Sequence, residues 1–192
     1  MGQGKHSLLA AVLKTYLCAK GFKLSLQTLL MNRAMLLKAG DVLSNLEISR
    51  FFDVCTRRGI RYSGNLKTGV RHVVLITVLD KTPEESLENP YRDRFEGDLL
   101  VYTGEGRVGD QQMTRGNLVL KMQMEKGFPV YVFEKKSPGR YVFLGRFNVE
   151  DFQTEQQPDV RGKTRKVFVF TLRRVGDFIL LSTENTASLP KL

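Results

Sequence analysis

Apolar residues recur at helical spacing in the first part of the chain. Residues 8–17 carry leucine, valine and tyrosine three and four positions apart, and Gly21 ends that run. Ser25 precedes a second apolar stripe over residues 26–37, which Gly40 ends. The pattern predicts a helical hairpin over residues 6–39. We therefore treat residues 1–39 as a helical N-terminal segment and residues 40–192 as a separate domain.

After Asp41 the helical period gives way to short apolar runs, which are typical of strands. Leu46, Ile48 and Phe51 fit strand positions, and strands are predicted over 70–79, 99–101, 129–134, 140–149 and 167–173. Residues 113–124 predict a short helix, and residues 178–181 form a short apolar end-piece. The polar segments 57–69, 80–90 and 152–166 predict loops. Many short strands and few helices predict an α+β, mainly β fold, with a closed or nearly closed twisted β-barrel.

The charge of the chain favours an anionic partner. Thirty Lys and Arg face twenty Asp and Glu among 192 residues, which gives a net charge of +10 and a pI near 9.8. Because many acidic residues remain, the excess is a surface bias and not a disordered polycationic tail. Nucleic acid is the first candidate partner, ahead of a membrane surface or an acidic protein.

Cysteine and histidine are too few for a zinc site. The two cysteines, Cys18 and Cys55, have only two histidines as further ligands, and their spacing builds no metal-binding set. We predict reduced thiols, a cytoplasmic location and no cofactor or metal. The apolar run over residues 8–13 is too short and too charged at its flanks to span a bilayer, so no membrane partner is predicted.

The stretch 91–111 carries the candidate chemistry. Tyr91 and Asp93 open it, a predicted strand delivers Tyr102 and Thr103, and glycines from Gly104 onward allow a sharp turn and a close backbone approach to a ligand. Two aromatic rings, a carboxylate and a hydroxyl are able to hold a flat ring with polar edges, such as a nucleobase. The same residues also fit an ordinary core, with Asp93 capping a turn.

Five motifs in this order resemble the SRA (SET- and RING-associated, or YDG) domains. They are Tyr91-Arg92-Asp93, Tyr102-Thr103-Gly104-Glu105-Gly106, Asp110-Gln111 with Asn117, Gly127-Phe128-Pro129-Val130 and Arg140-Tyr141-Val142-Phe143. The similarity runs from about Gly40 to Val175 and is strongest to the bacterial domains found in modification-dependent restriction endonucleases.

The resemblance implies an SRA/PUA-like twisted barrel that binds duplex DNA containing 5-methyl- or 5-hydroxymethylcytosine. It implies a flipped base between Tyr91 and Tyr102, with Asp93 accepting a hydrogen bond from the exocyclic amine and Thr103 and Gly104 completing the pocket. Glu96 and Asp98 are alternative acceptors, because the spacing between the two tyrosines is about one residue shorter than in other members. The implied role is non-catalytic targeting in a restriction-modification system, with a nuclease domain or subunit as a possible partner.

The resemblance and the basic loops together place further residues against the duplex backbone or groove. These candidates are Arg61, Ser63, Asn65, Lys67, Arg107, Gln112, Arg115, Asn117, Arg161, Lys163 and Arg165. Vertebrate members carry a longer insert between the glycine turn and the Asp-Gln pair. Residues 106–110 leave no room for that insert, so we do not expect discrimination of hemimethylated sites.

Two other functions fit parts of the sequence. Glu134-Lys135-Lys136, with Asp110 upstream, matches the letters of a PD-(D/E)xK nuclease, which needs two carboxylates converging on a divalent ion. A charged hairpin at a strand end explains the same letters. An RNA-binding barrel of the PUA type is the third hypothesis. An HNH site has little support, because His6 and His72 lack companion ligands at suitable spacing.

Overall fold

One twisted β-sheet dominates the computed structural model, which describes residues 35–181. Its strands follow the order β3-β4-β7-β8-β9-β6-β5, and β2 pairs with β8 off this path. Strands β1 and β10 pair with each other in a separate two-stranded sheet. The strands are β1 Met35–Lys38, β2 Val42–Leu43, β3 Ile60–Asn65, β4 Gly69–Thr77, β5 Arg94–Glu96, β6 Leu99–Thr103, β7 Val130–Ser137, β8 Arg140–Pro158, β9 Thr164–Gly176 and β10 Phe178–Leu181. The helices are α1 Asn45–Phe52, α2 Pro83–Glu88 and α3 Arg115–Lys126.

The predicted strands in the middle of the chain are confirmed, and so is the helix predicted over 113–124. β4 and β7 run parallel, whereas the other neighbours in the path are antiparallel. The buried core brings apolar residues of these strands together with Val119 and Leu120 of α3. Residues Lys38–Ile179 form one compact unit that contains every site described below. Within residues 35–181, no helix combines the length and the apolar character needed to cross a membrane.

The large sheet is not closed into a barrel, so the fully closed form of the predicted closed or nearly closed barrel is wrong. The path of the large sheet ends at β3 on one side and β5 on the other, and these two strands do not pair with each other. β5 has only three residues, all of them exposed, so it is too short to extend the ladder further. The predicted α+β, mainly β class and the predicted twist of the sheet are confirmed.

The segment around Leu46 forms helix α1 and not the predicted strand. Ser44 accepts a hydrogen bond from the Glu47 backbone N–H at 3.2 Å, and the Glu47 carboxylate accepts one from the Ser44 N–H at 2.7 Å. This reciprocal capping box satisfies two N–H groups that a helix start otherwise leaves unpaired. Ile48 and Phe52, one helical turn apart, are both buried, so the period of 3.6 prevails over the apolar run.

Both basic loops of the prediction are shorter than expected. β3 takes up residues 60–65 of the first loop, and its hairpin turn is fixed by Asn65, whose Oδ1 accepts from the Lys67 and Thr68 N–H groups. β8 and β9 take up most of the second loop and leave only residues 159–163 as a turn. Polar residues at alternating positions are compatible with a strand, and Asp159 stabilises the turn by accepting from the N–H groups of Arg161 and Lys163.

Two other local predictions change. The predicted loop 80–90 contains α2, which has its own capping box between Thr82 and Glu85. The predicted helical hairpin lies outside the described residues except at its end. There Met35–Lys38 forms strand β1, so the helical prediction is wrong for those residues.

Candidate nucleic-acid interface

The predicted pocket residues come together around one cavity of about 270 Å³. Tyr91 and Asp93 reach it from the segment before β5, and Tyr102 and Thr103 from the end of β6. Glu96 and Asp98 are exposed and do not line it. Among the three carboxylates proposed as amine acceptors, Asp93 is therefore the one that the fold places beside both tyrosines.

Asp93 is held from two sides. Its Oδ1 accepts a hydrogen bond from the Thr103 backbone N–H at 2.8 Å, and its Oδ2 accepts one from the Thr77 hydroxyl at 2.8 Å. Burial raises the pKa of Asp93 to about 6, although these hydrogen bonds and the nearby Lys81 ammonium act in the opposite direction. The carboxylate is ionised at neutral pH, and each oxygen keeps acceptor capacity for a ligand.

Tyr91 is fixed at its backbone and at its hydroxyl. The Lys81 ammonium donates hydrogen bonds to the carbonyl oxygens of Tyr91 and Asn89, and burial lowers the pKa of that lysine. The Tyr91 hydroxyl accepts from the Gly106 N–H at 3.3 Å. The ring is half-buried and lines the cavity, so a ligand is able to contact it without any change in the core.

Tyr102 belongs to the hydrophobic core and to the cavity wall together. Its side chain is almost fully buried, and its hydroxyl donates to the Ile76 carbonyl oxygen at 3.3 Å. Burial raises the pKa of Tyr102 well above its ordinary value. Gly59 packs against this hydroxyl, since a Cβ there would lie 2.8 Å from the oxygen. Tyr102 is therefore a core residue and a residue of the cavity wall, so it fits both the prediction of a core aromatic and the prediction of a pocket aromatic.

Gly104 allows two buried amides to close on the turn after β6. A Cβ at this position would lie 2.5 Å from Asn117 Oδ1 and 2.8 Å from Gln111 Oε1. Gln111 donates to the Gly104 carbonyl oxygen and accepts from the Phe168 N–H at 2.9 Å. Asn117 accepts from the Glu105 N–H at 2.7 Å and donates to the Glu105 carbonyl oxygen at 3.0 Å. Gly104 and these amides form the frame behind the pocket and do not line it.

A larger recess of about 820 Å³ adjoins the pocket and shares part of its wall. The two cavities have Arg58, Gly59, Tyr91 and Glu105 in common. The larger recess adds positive charge, because Arg57, Arg107 and Arg115 line it as well. A nucleotide in the inner cavity would therefore leave its flanking backbone beside arginine side chains.

Hydrogen bonds join the glycine turn 106–109 to the basic turn 159–163. The buried Arg165 guanidinium donates to the carbonyl oxygens of Gly106 and Gly109. Asp159 accepts from the Gly109 N–H at 3.4 Å, and the Val160 N–H donates to the Arg107 carbonyl oxygen at 3.3 Å. Because Gly106 also contacts the Tyr91 hydroxyl, this network links the basic turn to the aromatic wall of the pocket.

The eleven residues proposed to contact the DNA backbone or groove fall into two groups by the exposure of their side chains. Seven have exposed side chains, namely Asn65, Lys67, Arg107, Gln112, Arg115, Arg161 and Lys163. The other four are at most 3% exposed, namely Arg61, Ser63, Asn117 and Arg165. These four side chains hydrogen-bond within the protein. Ser63 and Arg165 line neither cavity, so their position does not support the predicted contact with DNA, whereas Arg61 lines the inner cavity and Asn117 lines the larger recess. Arg61, for example, donates to the Arg58 carbonyl oxygen at 2.8 Å and to Asn45 Oδ1 at 2.7 Å.

The carboxylates of the nuclease hypothesis have separate partners. Glu134 is buried on β7 and pairs with Lys136 at 2.6 Å, and Lys136 also pairs with Asp80 at 3.0 Å. Asp110 accepts from the Lys166 N–H at 2.7 Å. Within residues 35–181, no group of three or more His, Cys, Asp or Glu residues is arranged to hold a metal ion. The Glu-Lys-Lys triplet is explained by this ion-pair cluster at the end of a strand.

Several further residues build the pocket without any mark of that role in the sequence. Thr77 and Lys81 orient Asp93 and Tyr91, and Lys135 and Tyr141 line the cavity from β7 and β8. Thr77 falls within an apolar strand and the two lysines in charged segments, so no local pattern marks them. Tyr141 was within a recognised motif but was assigned no role.

The sequence model of the "ScoMcrA-like, SRA domain" family matches residues 54–181. The chain belongs to this SRA family. A YDG domain-containing protein of Arabidopsis thaliana is 34% identical over 98 residues, which cover 44% of this chain and 29% of that relative. A second such Arabidopsis protein is 32% identical over 100 residues, covering 45% and 23%. This SRA chain therefore spans less than a third of the length of the curated relatives it matches.

Solved SRA structures share the fold. The SUVH5 SRA domain in complex with methylated CHH DNA has a TM-score of 0.55 at 27% identity, covering 73% of this chain and 91% of that one. The same domain bound to fully hydroxymethylated CG DNA has a TM-score of 0.53 at 27% identity, with the same coverage. The sulfur-binding and SRA domains of ScoMcrA, complexed with phosphorothioated DNA, give 0.56 at 19% identity over 72% and 40% of the two chains. That last similarity supports the fold alone.

Proposed function

We propose that this SRA domain binds duplex DNA that contains a modified cytosine and holds the flipped base between Tyr91 and Tyr102. The observation that carries the proposal is the cavity itself: both tyrosines, Asp93 and Thr103 line one space of about 270 Å³. The complexes of the SUVH5 SRA domain with methylated and hydroxymethylated DNA support the choice of ligand.

The energy balance of such a pocket is favourable. Extruding a base from the duplex costs a few kcal/mol of stacking and pairing. Stacking on aromatic side chains returns roughly 1–3 kcal/mol per base, so the two tyrosines offset most of that cost. The recess beside the pocket adds the attraction of Arg57, Arg58 and Arg107 for the flanking phosphates.

Asp93 gives the pocket its preference for cytosine. A carboxylate accepts a hydrogen bond from the exocyclic amine of cytosine, whereas thymine presents an oxygen at the same position and would be repelled. Thr77 and Thr103 hold the carboxylate in place from opposite sides, so less conformational entropy is lost when a base binds.

We place the domain in a restriction system as its targeting part. The match to the ScoMcrA-like SRA family supports this role, and the nuclease would then lie on another domain or subunit. Incubation of this chain with methylated and unmethylated plasmid in magnesium or manganese should leave both uncut. Cleavage that disappears in Glu134→Ala would replace this proposal with the nuclease hypothesis.

Fluorescence of 2-aminopurine opposite the modified cytosine tests the flipping step. The signal should rise when the wild-type chain binds, because the partner base leaves the stack. Tyr91→Ala should lose roughly 1–3 kcal/mol of binding free energy and most of the signal. Tyr91→Phe is the matched control, since it keeps the ring and removes only the hydroxyl that contacts Gly106. Tight binding by wild type without a rise in fluorescence, together with equal binding by Tyr91→Ala, would show that the modification is recognised in the groove instead.

A further inference from the structure

The cavity has a second side that the recognition of the amine does not use. Ile76 and Val78 line it at the end of β4, and Lys135 and Tyr141 line it from β7 and β8. Lys135 of β7 is the register partner of Tyr141 of β8, and Thr77 of β4 is the register partner of Glu134 of β7. Val78 and Lys135 follow Thr77 and Glu134 directly in the sequence. The apolar residues Ile76 and Val78 and the Lys135 ammonium therefore lie on the same side of the cavity.

The orientation of the base, which rests on the proposed function, decides what this side contacts. Asp93 lies between Thr103 on one side and Thr77 on the other. With the exocyclic amine at Asp93, one neighbouring ring position is the acceptor N3 and the other is C5. The apolar side chains of Ile76 and Val78 suit the C–H edge of the ring at C5 better than the acceptor edge formed by N3 and O2. The C5 edge therefore faces β4.

Lys135 has donors available at this place. Its ammonium has no hydrogen-bond or ion-pair partner within residues 35–181, whereas the adjacent Lys136 pairs with Glu134 and Asp80. Arg58 lines both cavities, but Lys135 lines only the inner one. Tyr141 beside it is nearly buried and interacts with Arg61, so the position of its ring is fixed. A methyl group has no use for an ammonium donor, but an oxygen atom accepts from it.

We propose that the β4 side of the cavity selects a cytosine whose 5-substituent carries oxygen, with Lys135 donating a hydrogen bond to that oxygen. Ile76 and Val78 contact the carbon of the substituent, and Lys135 reaches the atom beyond it. A 5-carboxyl group gains most, because its charge is opposite to that of the ammonium. A 5-hydroxymethyl group gains a single hydrogen bond, and a 5-methyl group gains only apolar contact.

The test is a titration of the full chain with four duplexes that differ at one cytosine: unmodified, 5-methyl, 5-hydroxymethyl and 5-carboxyl. Wild type should bind the two oxygen-bearing duplexes more tightly than the methylated one, the carboxyl form by about tenfold. Lys135→Met, which keeps the apolar stem, should bring the oxygen-bearing duplexes to the level of the methylated one. Lys126→Met is the charge-matched control, because Lys126 is exposed at the end of α3 and lines neither cavity.

Three results would overturn the inference. Wild type could bind the methylated duplex as tightly as the oxygen-bearing ones, or Lys135→Met could leave the preference unchanged. Equal weakening of all four duplexes by Lys135→Met would make Lys135 a phosphate contact. In each of these cases a rise of 2-aminopurine fluorescence on binding would leave the proposed function intact. Equal affinity for all four duplexes without that rise would instead remove the proposed function itself.

Discussion

Thr77 on β4 donates its hydroxyl hydrogen to Asp93 Oδ2 at 2.8 Å, across 16 residues of sequence. The Thr103 N–H on β6 occupies the other carboxylate oxygen at the same distance. Thr77 is fully buried, so strand β4 fixes the position of its hydroxyl group. The hydrogen bond from this hydroxyl in turn fixes the position of the Asp93 carboxylate. A carboxylate held in this way presents a constant set of acceptors to a ligand, and four predictions follow from its setting and from the loops around it.

Asp93→Asn should relax the rejection of thymine more than it weakens the binding of modified cytosine. The amide is able to present either its oxygen, which accepts from the cytosine amine, or its NH₂ group, which donates to the thymine oxygen. We expect the discrimination between cytosine and thymine to fall by about 1–3 kcal/mol. Competition between two duplexes that differ only in that base measures this. Unchanged rejection of thymine would show that another group recognises the amine.

Binding of modified cytosine should weaken as the pH falls through 6. Burial raises the pKa of Asp93 to about 6. The ionised form accepts from the amine with a charge-assisted hydrogen bond, whereas protonation removes the charge and turns one oxygen into a donor. Below that pKa the protonated form dominates the free protein, so the apparent affinity should fall by about tenfold at pH 5. Lys81 is the charged group that opposes this protonation. Affinity measured from pH 8 to 5 should show the fall in wild type and a flatter profile in Asp93→Asn.

The exposed basic residues should give binding a steep dependence on salt. If several phosphates are neutralised, the logarithm of the affinity falls linearly with the logarithm of the salt concentration. Lys163→Ala removes an exposed cation from the turn 159–163, so it should weaken all sequences alike and reduce that slope by about one. Lys126→Ala should leave the slope unchanged. A nearly flat salt dependence in wild type would exclude binding through the duplex backbone.

Arg165→Ala should destabilise the fold and not act as the loss of a phosphate contact. The guanidinium is 2% exposed and holds the carbonyl oxygens of Gly106 and Gly109. Its removal takes the donor from two part-buried carbonyl oxygens and leaves a void where the buried guanidinium lay, so we expect the free energy of unfolding to fall by about 1–3 kcal/mol. Lys163→Ala should change it by less than about 0.5 kcal/mol. Urea unfolding of both variants measures the difference, and equal stability would show that the Arg165 hydrogen bonds contribute little to the fold.

The order of strands along the chain followed from local pattern, but the form of the sheet did not. Apolar runs such as 70–79 predicted β4 correctly, because buried strands are rich in β-branched residues. The open ends at β3 and β5 depend on which strands pair across long separations, and no local period encodes that. The apolar residues of α1 also fit a strand, and the capping box at Ser44 and Glu47 is the local signal that distinguishes a helix there.

The residue pattern predicts that Tyr91, Asp93, Tyr102 and Thr103 form one pocket, and all four line the same cavity. The choice among the carboxylates depends on the fold, because Asp93, Glu96 and Asp98 have the same chemistry and only Asp93 lines the cavity. The tertiary structure also decided that Arg165 is buried while Lys163 is exposed. Lys163 lies in the exposed turn before β9, whereas Arg165 lies on β9 itself and takes the covered side of that strand, and which side is covered depends on the elements packed against it.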